Sequence, residues 1–403
     1  YIYYIMSANT SCAFSRLFNS DPLTRCNIIK TYFDGNKQEY DDAIKLYNEF
    51  IKKYGNELLK YNIDLRDPEQ RKRRFIKFIL IVKQINEHNN DPSQTWSKEI
   101  NLFTVLEDFE VPKGLKPNPS NNNNNNNNTN NTNYDKFKNF SWSNFNGIKN
   151  CVSEPKNQIH LDVCWCFAGV EAIETVHAKN NSLETASVEN VLDAYSNNDN
   201  GTLCLPNILE SALYICGDET TYGTNDGKKI ILNGDYIQSG AQTKGISKLT
   251  KNNEYSGTCP SKNSSFENSV IEKSCVSSFT LYDKISVLDL RSLLDNGPVL
   301  AGINASSKLF HSYRSGVISG KKLQCGGTVS PDHVILIIGY GYDELTKLNY
   351  WLCKNSWGTS WGEELPAWAV AGQTNTKGYF KVEASDDNII CIQGQVAGNI
   401  ELK

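Results

Sequence analysis

The sequence contains a single methionine, only five histidines and no apolar run long enough to cross a membrane. Its charges nearly balance: 41 Lys and Arg face 45 Asp and Glu, which gives a net charge of −4 and a pI of about 5.9. Chains that bind nucleic acid or anionic lipid through overall charge are usually basic. The sequence therefore predicts no membrane span and no nucleic-acid partner.

The first residues do not read as a secretory signal peptide. The chain opens on Tyr1, its only methionine is Met6, and the apolar residues 1–6 lack flanking basic residues. We expect the start of the chain to be incomplete or misassigned, so the absence of a visible signal does not indicate the cytosol. Twelve cysteines and eight Asn-x-Ser/Thr sequons agree with some disulfides and glycosylation on a secretory route. We expect a lysosomal or secreted protein.

Two amphipathic helices are predicted in the first quarter of the chain. Apolar pairs recur every three or four residues from Tyr40 to Tyr54, where Gly55 interrupts them. Asp67 is a suitable N-cap for a second helix that runs to about Asn89, with proline at its first position. Residues 100–106 read as a short extended stretch.

A change of composition separates these helices from the rest of the chain. Residues 121–128 are eight consecutive asparagines, which cannot bury apolar surface. We therefore divide the chain into an unassigned segment 1–35, a helical segment 36–112, an Asn-rich linker 113–139 and a globular domain 140–403. The linker is either a site for proteolytic processing or a neutral insertion.

The globular domain begins with helical patterns and ends with strand patterns, which is typical of an α+β fold. Residues 217–256 read as long surface loops. The predicted helices cover residues 167–177, 187–193, 205–214 and 290–294, and the predicted strands cover residues 298–304, 334–338, 349–354 and 378–382.

Cys164 immediately precedes the first of these helices. A helix N-terminus favours a thiolate, which is the nucleophilic form of cysteine. His333 opens one predicted strand and Asn355 follows the next, so an antiparallel hairpin would bring the two together. An amide oxygen beside an imidazole fixes its tautomer, and the histidine is then able to share a proton with the thiol as a thiolate–imidazolium pair.

These segments carry a family resemblance. The matching motifs are Cys164-Trp165-x-Phe167-Ala, Asp332-His333, Gly339-Tyr-Gly341 and Lys354-Asn-Ser-Trp-Gly-x-x-Trp-Gly362. In this order they resemble the signatures of papain-family cysteine peptidases. The resemblance implies a two-lobed α+β fold with a helical left lobe and an antiparallel, β-barrel-like right lobe. It also implies that residues 36–112 form a helical propeptide. Such a propeptide lies along the cleft with its chain running in the direction opposite to that of a substrate, and it inhibits the enzyme.

The resemblance assigns roles as well. Cys164 is the expected nucleophile, His333 the proton carrier, Asn355 its orienting partner and Gln158 a donor to the oxyanion. Protein or peptide substrates are expected, with no cofactor and no metal. Cys325 and Cys391 match the family's disulfide in the right lobe. The predicted substrate-binding residues are Trp357, Asp162, Asn207 and Asp332.

Several positions depart from the family pattern. Asp162 replaces a glycine that lines the cleft, and Pro206 interrupts the edge to which substrate pairs. Cys204 has lost its usual partner, and both Cys151 and Cys216 are open alternatives. Residues 364–376 are an insertion expected beside the cleft. These departures keep a second hypothesis open, in which the chain is a weak or inactive homologue that binds peptides.

Overall fold

A computed structural model of the chain describes residues 30–115, 134–196, 209–214, 219–221, 228–232, 246–251, 254–258, 270–306, 308–320, 323–326 and 330–403. The chain divides into two compact units. The first unit comprises Tyr1–Pro92 and Glu99–Val111, and the second comprises Ser93–Lys98 and Pro112–Lys403.

The first unit is built on two helices, α1 (Lys37–Leu58) and α2 (Pro68–Asn89). The Asp67 side chain accepts hydrogen bonds from two backbone N–H groups of the first turn of α2, as its place in the sequence predicts. The prediction that Gly55 interrupts the first helix is wrong. A helical glycine costs only about 1 kcal/mol, and burial of Leu58 at the end of α1 outweighs that cost.

The extended stretch predicted at residues 100–106 is also wrong. Leu102–Val105 form a 3₁₀ helix, which a reciprocal capping box begins. Asn101 accepts from the backbone of Phe103, and Thr104 accepts from the backbone of Asn101. The strand lies earlier, at β1 (Trp96–Lys98) in the second unit, where it pairs antiparallel with residues 313–316.

The second unit contains four α-helices and one extended sheet in its described residues. The helices are α3 (Cys164–Asn180), α4 (Val188–Ser196), α5 (Val287–Asn296) and α6 (Lys308–His311). After β1, the strands are β2 (Phe140–Ser141), β3 (Glu219–Thr221), β4 (Lys228–Leu232), β5 (Val276–Tyr282), β6 (Val299–Ile303), β7 (Tyr313–Ile318), β8 (His333–Asp343), β9 (Leu348–Lys354), β10 (Glu363–Glu364), β11 (Lys377–Glu383) and β12 (Val396–Leu402).

The strand order is β1-β7-β11-β9-β8-β6-β12-β5-β4-β3, with β10 on β11 and β2 on β8. Most pairs are antiparallel, but β11 and β7 run parallel. The sheet does not close on itself across the part of the chain that the structure describes. The predicted α+β class is confirmed, and the barrel-like lobe takes the form of an open sheet.

The sequence missed several strands of this sheet. β3 and β4 lie within residues 217–256, which were predicted to be loops, and β5, β7 and β12 were not predicted at all. β4 has three consecutive apolar residues, of which only Ile230 and Leu232 are buried, so this short run in a polar segment gives a weak signal. The described end of the helix predicted at 205–214 is a 3₁₀ turn, Ser211–Tyr214.

A buried ion pair fixes α3 against the end of β9. Lys354 Nζ lies 2.9 Å from Glu171 Oε1, and both side chains are almost completely buried. Lys354 directly precedes Asn355, and Glu171 lies two turns into the helix that starts at Cys164. The pair therefore ties together the two elements that carry these candidate residues.

Replacing Lys354 with methionine should lower the free energy of unfolding by about 3–5 kcal/mol, because the carboxylate of Glu171 then stays buried without its cation. Thermal or denaturant unfolding measures the effect. Lys347→Met is the matched control, since the Lys347 side chain is 67% exposed in its contact with Glu344. Equal stability of the two variants would contradict a structural role for the buried pair.

Candidate active site

Cys164 is the first residue of α3, and Val163 is the N-cap. The thiol is completely buried. Its Sγ atom accepts a hydrogen bond of 3.2 Å from the backbone N–H of Val334, which directly follows His333 on β8. The helix start and the strand start therefore meet at the sulfur atom.

His333 and Asn355 are in direct contact. His333 Nε2 lies 2.8 Å from Asn355 Oδ1, and both side chains are buried. The same Oδ1 atom accepts from the backbone N–H of Ser356 at 2.8 Å, which identifies it as the amide oxygen. In the neutral ring Nε2 must therefore carry the proton. Nδ1 is left as an acceptor, and it has no hydrogen-bond partner among the described residues.

The hairpin predicted from the sequence is present, with one difference. Its ladder ends where Leu336 pairs with Lys354, so His333 lies beyond the ladder and pairs with Ile303 on β6 instead. The side chains of His333 and Asn355 nevertheless meet. Trp357 covers them: its ring centroid lies 5.0 Å from that of His333, and it is fully buried. A buried hydrogen bond is stronger than one exposed to water.

Both polar atoms of the Gln158 amide form hydrogen bonds. Its Nε2 atom donates to the carbonyl oxygens of Leu161 at 2.8 Å and Lys113 at 2.9 Å. Its Oε1 atom accepts from the hydroxyl of Ser356 at 2.6 Å. Ser356 therefore contacts both the Gln158 amide and the Asn355 amide. Ser356 lies in the motif that begins at Lys354, but the sequence alone gave no role for it.

Residues 112–115, which we call the cleft segment, lie against these side chains. The carbonyl oxygen of Lys113 accepts from the backbone N–H of Cys164 at 3.3 Å, in addition to Gln158. Trp357 Nε1 donates to the carbonyl oxygen of Pro112 at 3.0 Å. The sequence had placed residues 113–115 in the linker and gave no signal of this contact.

Asp162 and Asp332 bind the cleft segment from two directions. The carboxylate of Asp162 accepts from the backbone N–H of Lys113 at 2.9 Å. The backbone carbonyl of Asp332 accepts from Gly114 at 3.3 Å and Leu115 at 3.2 Å. Three of the four predicted substrate-binding residues thus contact the cleft segment, and the fourth, Asn207, lies outside the described residues.

Gly114 packs with no space for a side chain. Its φ is +126°, and an added Cβ would lie 2.2 Å from the carbonyl oxygen of Asp162. Such a distance is far shorter than any real carbon–oxygen contact, and the backbone angle itself disfavours other residues. Glycine is therefore required at this position for the cleft segment to approach the wall beside Cys164.

While the cleft segment is in place, burial shifts the pKa of both Cys164 and His333. It raises the pKa of the Cys164 thiol well above its usual range, and the Asp162 and Asp332 carboxylates act in the same direction. Burial also lowers the pKa of His333 to about 4, against the effects of Asn355 and Asp332. Burial thus disfavours the predicted thiolate–imidazolium pair while the cleft segment is in place, and the pair stays a prediction.

The protein should lose stability in mild acid because of His333. Its pKa of about 4 in the folded chain lies below the ordinary value of 6.5, so the unfolded chain binds the proton first as the pH falls. The free energy of unfolding should decrease between about pH 6.5 and pH 4, by on the order of 3 kcal/mol for this residue. Unfolding of His333→Gln across that range should show a smaller slope; the same slope as the unsubstituted protein would contradict the assignment.

The predicted disulfide of the right lobe is present, and the pairing of Cys204 stays open. Cys325 and Cys391 form a disulfide with Cα atoms 4.6 Å apart. Cys166 and Cys353 are free and buried, as small core residues. Cys151 is also free, which removes one of the two candidate partners of Cys204. Cys204 and Cys216 lie outside the described residues.

The insertion at residues 364–376, expected beside the cleft, has its recorded hydrogen bonds to residues 143, 144 and 154. Its recorded contacts join Trp368 O to Asn144, Ala369 O to Ser143, and Thr374 to Glu154. Its apolar side chains, with Leu365 among them, belong to the core cluster that contains Trp142. It packs on that cluster because its own residues are apolar enough to be buried there.

Neither metal ligation nor membrane insertion is indicated by the described ranges. They contain no group of three or more His, Cys, Asp or Glu side chains placed to hold a metal ion. Among the helices that the structure describes, none is both long and apolar enough to cross a bilayer.

Comparison with known proteins agrees with this geometry. The family described as papain family cysteine protease matches residues 137–395. Fruit bromelain of Ananas comosus is 28% identical over 323 residues, which cover 76% of each chain. A cysteine proteinase of Theileria annulata is 26% identical over 333 residues, or 75% of this chain and 65% of the relative.

Solved structures resemble the fold over nearly the whole chain. The proform of the ragweed pollen cysteine protease Amb a 11 superposes with a TM-score of 0.63 at 20% identity, covering 90% of this chain and 95% of that one. A recombinant stem bromelain precursor gives 0.60 at 20% identity, covering 88% and 99%. Since the family match spans well over half of the sequence, the chain belongs to the papain family of cysteine proteases.

Proposed function

We propose that Cys164, His333, Asn355 and Gln158 hydrolyse peptide bonds through a thioester acyl-enzyme. His333 Nδ1 takes the thiol proton while Sγ of Cys164 attacks the carbonyl carbon. Gln158 Nε2 and the Cys164 N–H stabilise the resulting oxyanion. The C–N bond then breaks as His333 returns the proton to the departing amine, and water hydrolyses the thioester. Asn355 keeps the imidazole in the tautomer that this transfer needs.

One observation carries this proposal. The carbonyl oxygen of Lys113 accepts hydrogen bonds from both Gln158 Nε2 and the Cys164 N–H, at 2.9 Å and 3.3 Å. Two converging donors at a buried cysteine are what acyl transfer requires, and a structural cysteine has no need of them.

We further propose that the chain is a zymogen. The Lys113 carbonyl of the cleft segment occupies both oxyanion donors, so a substrate carbonyl cannot bind there while the segment stays in place. Its removal, with residues 36–112 as the propeptide and a cut within the 113–139 linker, would open the site. Proform structures among the relatives of this fold support the idea.

The test is hydrolysis of a fluorogenic peptide by protein that has been cut within residues 116–133. His333→Ala should lower kcat by at least about 10³-fold, since the thiol loses its base. His177→Ala is the matched control, because His177 lies near the end of α3 and is absent from the contacts of the site. If the processed protein binds peptides but hydrolyses none, the chain is a binding module and the proposal fails.

Ser356→Ala should lower kcat about tenfold and leave KM almost unchanged. The variant removes the hydrogen bond that holds Gln158 Oε1, so the amide is less precisely aimed at the oxyanion. Steady-state kinetics of the processed enzyme measures the change. Ser277→Ala, at a hydroxyl that donates to the backbone of Glu401, is the control. An effect on KM alone would mean that Ser356 supports substrate binding instead.

We propose a secretory route, to the lysosome or the outside of the cell, with glycosylation at some of the sequons. The Cys325–Cys391 disulfide supports it, and Cys275 is disulfide-bonded as well. Disulfides persist in oxidising compartments and are rare in the cytosol. Mass mapping of disulfides and glycans on protein purified from its natural source tests this; fully reduced cysteines would contradict it.

A further inference from the structure

We propose that the hydroxyl of Tyr255 positions the side chain of Gln158 for catalysis, by holding a strained turn at Ile159. This inference rests on the proposed peptidase function and adds a positioning residue to it. In that mechanism Tyr255 does not contact the reacting atoms. It acts only through the turn that carries the oxyanion donor.

Ile159 has a backbone conformation that isoleucine rarely adopts. Its φ is +56°, in the left-handed region. There the branched Cβ lies too close to a backbone carbonyl oxygen, so a β-branched residue at this φ is a genuine outlier. Such strain persists only where the surrounding structure fixes the backbone, and it clusters at functional sites. Ile159 directly follows Gln158, whose side-chain amide is the proposed donor to the oxyanion.

Hydrogen bonds at both ends fix the peptide group that joins Gln158 to Ile159. Its carbonyl oxygen accepts from the Tyr255 hydroxyl at 2.8 Å, and its N–H donates to Asn157 Oδ1 at 2.9 Å. The carbonyl oxygen also accepts from the Leu161 N–H, at the longer distance of 3.3 Å. Because a peptide group is planar, Ile159 leaves its left-handed φ chiefly by rotation of this group. The rotation would break these hydrogen bonds, so they hold the strained turn.

The side chain of Ile159 is held by the same segment. It packs over Gly257, two residues after Tyr255, where an added Cβ would lie 2.6 Å from Ile159 Cδ1. Gly257 has a φ of +78°, which glycine adopts without strain. Residues 255–257 therefore contact both the backbone of the turn and its strained side chain.

Tyr255 also contacts the helix that begins at Cys164. Its ring is edge-on to that of Phe167, with centroids 5.1 Å apart. Phe167 lies in the first turn of α3, three residues after Cys164. One side chain thus joins the helix that carries the nucleophile to the turn that carries Gln158. Donors to an oxyanion must be placed to within about 0.5 Å, so loss of the Tyr255 hydroxyl should misalign the Gln158 amide.

The test is a double-mutant cycle of Tyr255→Phe and Ile159→Gly in the processed enzyme. Tyr255→Phe removes only the hydroxyl, so the turn should relax, and we expect kcat to fall about tenfold at nearly constant KM. Glycine adopts a left-handed φ without strain. Tyr255→Phe should therefore lower kcat by less than about twofold in the Ile159→Gly background. Each ratio compares two proteins with the same residue at position 159, so the effect of the glycine itself cancels.

Tyr340→Phe is the matched control, because it removes the same group from a buried tyrosine whose hydroxyl donates to Asp295 at 2.7 Å. It should leave kcat unchanged. A loss in Tyr255→Phe that is equally large in the Ile159→Gly background would overturn the proposal, because the hydroxyl would then act independently of the strained turn. A Tyr255→Phe enzyme with normal kcat, or with only KM changed, would overturn it as well.

A peptide aldehyde separates this inference from the peptidase function. Sγ of Cys164 adds to the aldehyde carbon, and the thiol proton passes to the aldehyde oxygen, which then takes the place of the oxyanion at Gln158. Aldehyde binding uses the donors without any turnover, so its Kd should rise about tenfold in Tyr255→Phe and not in the Ile159→Gly background. This pattern without peptide hydrolysis would support the positioning role and refute the peptidase. Hydrolysis by all four proteins of the cycle without the pattern would refute the positioning role alone.

Discussion

Replacing Cys164 with alanine should lower kcat/KM of the processed enzyme by at least about 10⁴-fold, because no other group can form the thioester. The loss should appear in kcat, since the donors that bind the substrate carbonyl remain. Hydrolysis of a fluorogenic peptide measures it, with circular dichroism to establish that the variant is folded.

Cys353→Ala is the matched control. Cys353 is also a free and fully buried cysteine, but it lies on β9 and its thiol contacts only the backbone of Trp351 among the recorded hydrogen bonds. Removing its sulfur should keep most of the activity. Hydrolysis by the Cys164→Ala protein at more than a few per cent of the normal rate would contradict a nucleophilic role.

The second large effect concerns the intact chain. Gly114→Ala should raise the rate at which an active-site-directed electrophile modifies Cys164 by about 10–100-fold. The added Cβ cannot fit 2.2 Å from the Asp162 carbonyl, and alanine disfavours a φ of +126°. The cleft segment must then move away from the wall and release the oxyanion donors. Mass spectrometry of the intact chain over time measures the rate.

Gly320→Ala provides a control of the same backbone type. Gly320 has a φ of +115°, and an added Cβ would meet nothing within 4 Å. It should be strained in the same way without affecting the cleft segment. If Gly114→Ala and Gly320→Ala change the labelling rate equally, close packing of the cleft segment is not what protects Cys164.

The catalytic candidates were predicted partly from local geometry and partly, as for Gln158, from the family resemblance. The pattern after Cys164 predicts a helix, and the short connection between the two strands predicts a hairpin that brings His333 near Asn355. His333 itself lies beyond the ladder of that hairpin, but the two side chains meet. The charge states could not be found in the same way. They depend on burial by residues distant in sequence, which raises the pKa of the Cys164 thiol and lowers the pKa of His333.

The contacts of residues 112–115 were also beyond sequence reasoning. Lys113 lies next to an asparagine-rich stretch, and nothing in its local pattern places its carbonyl beside Gln158, 45 residues away. Ser356 escaped notice for a related reason, because its role appears only when two amides converge on it. Strands with few buried residues, such as β4, were missed because tertiary pairing forms them and local pattern contributes little.

Labelling by an epoxide or fluoromethylketone probe, located by mass spectrometry, tests the central claim most directly. Processed protein should take up one probe per chain, on Cys164, and the intact chain should react far more slowly at this residue. Cys164→Ser should take up none there. A processed protein that leaves Cys164 unmodified would contradict the account.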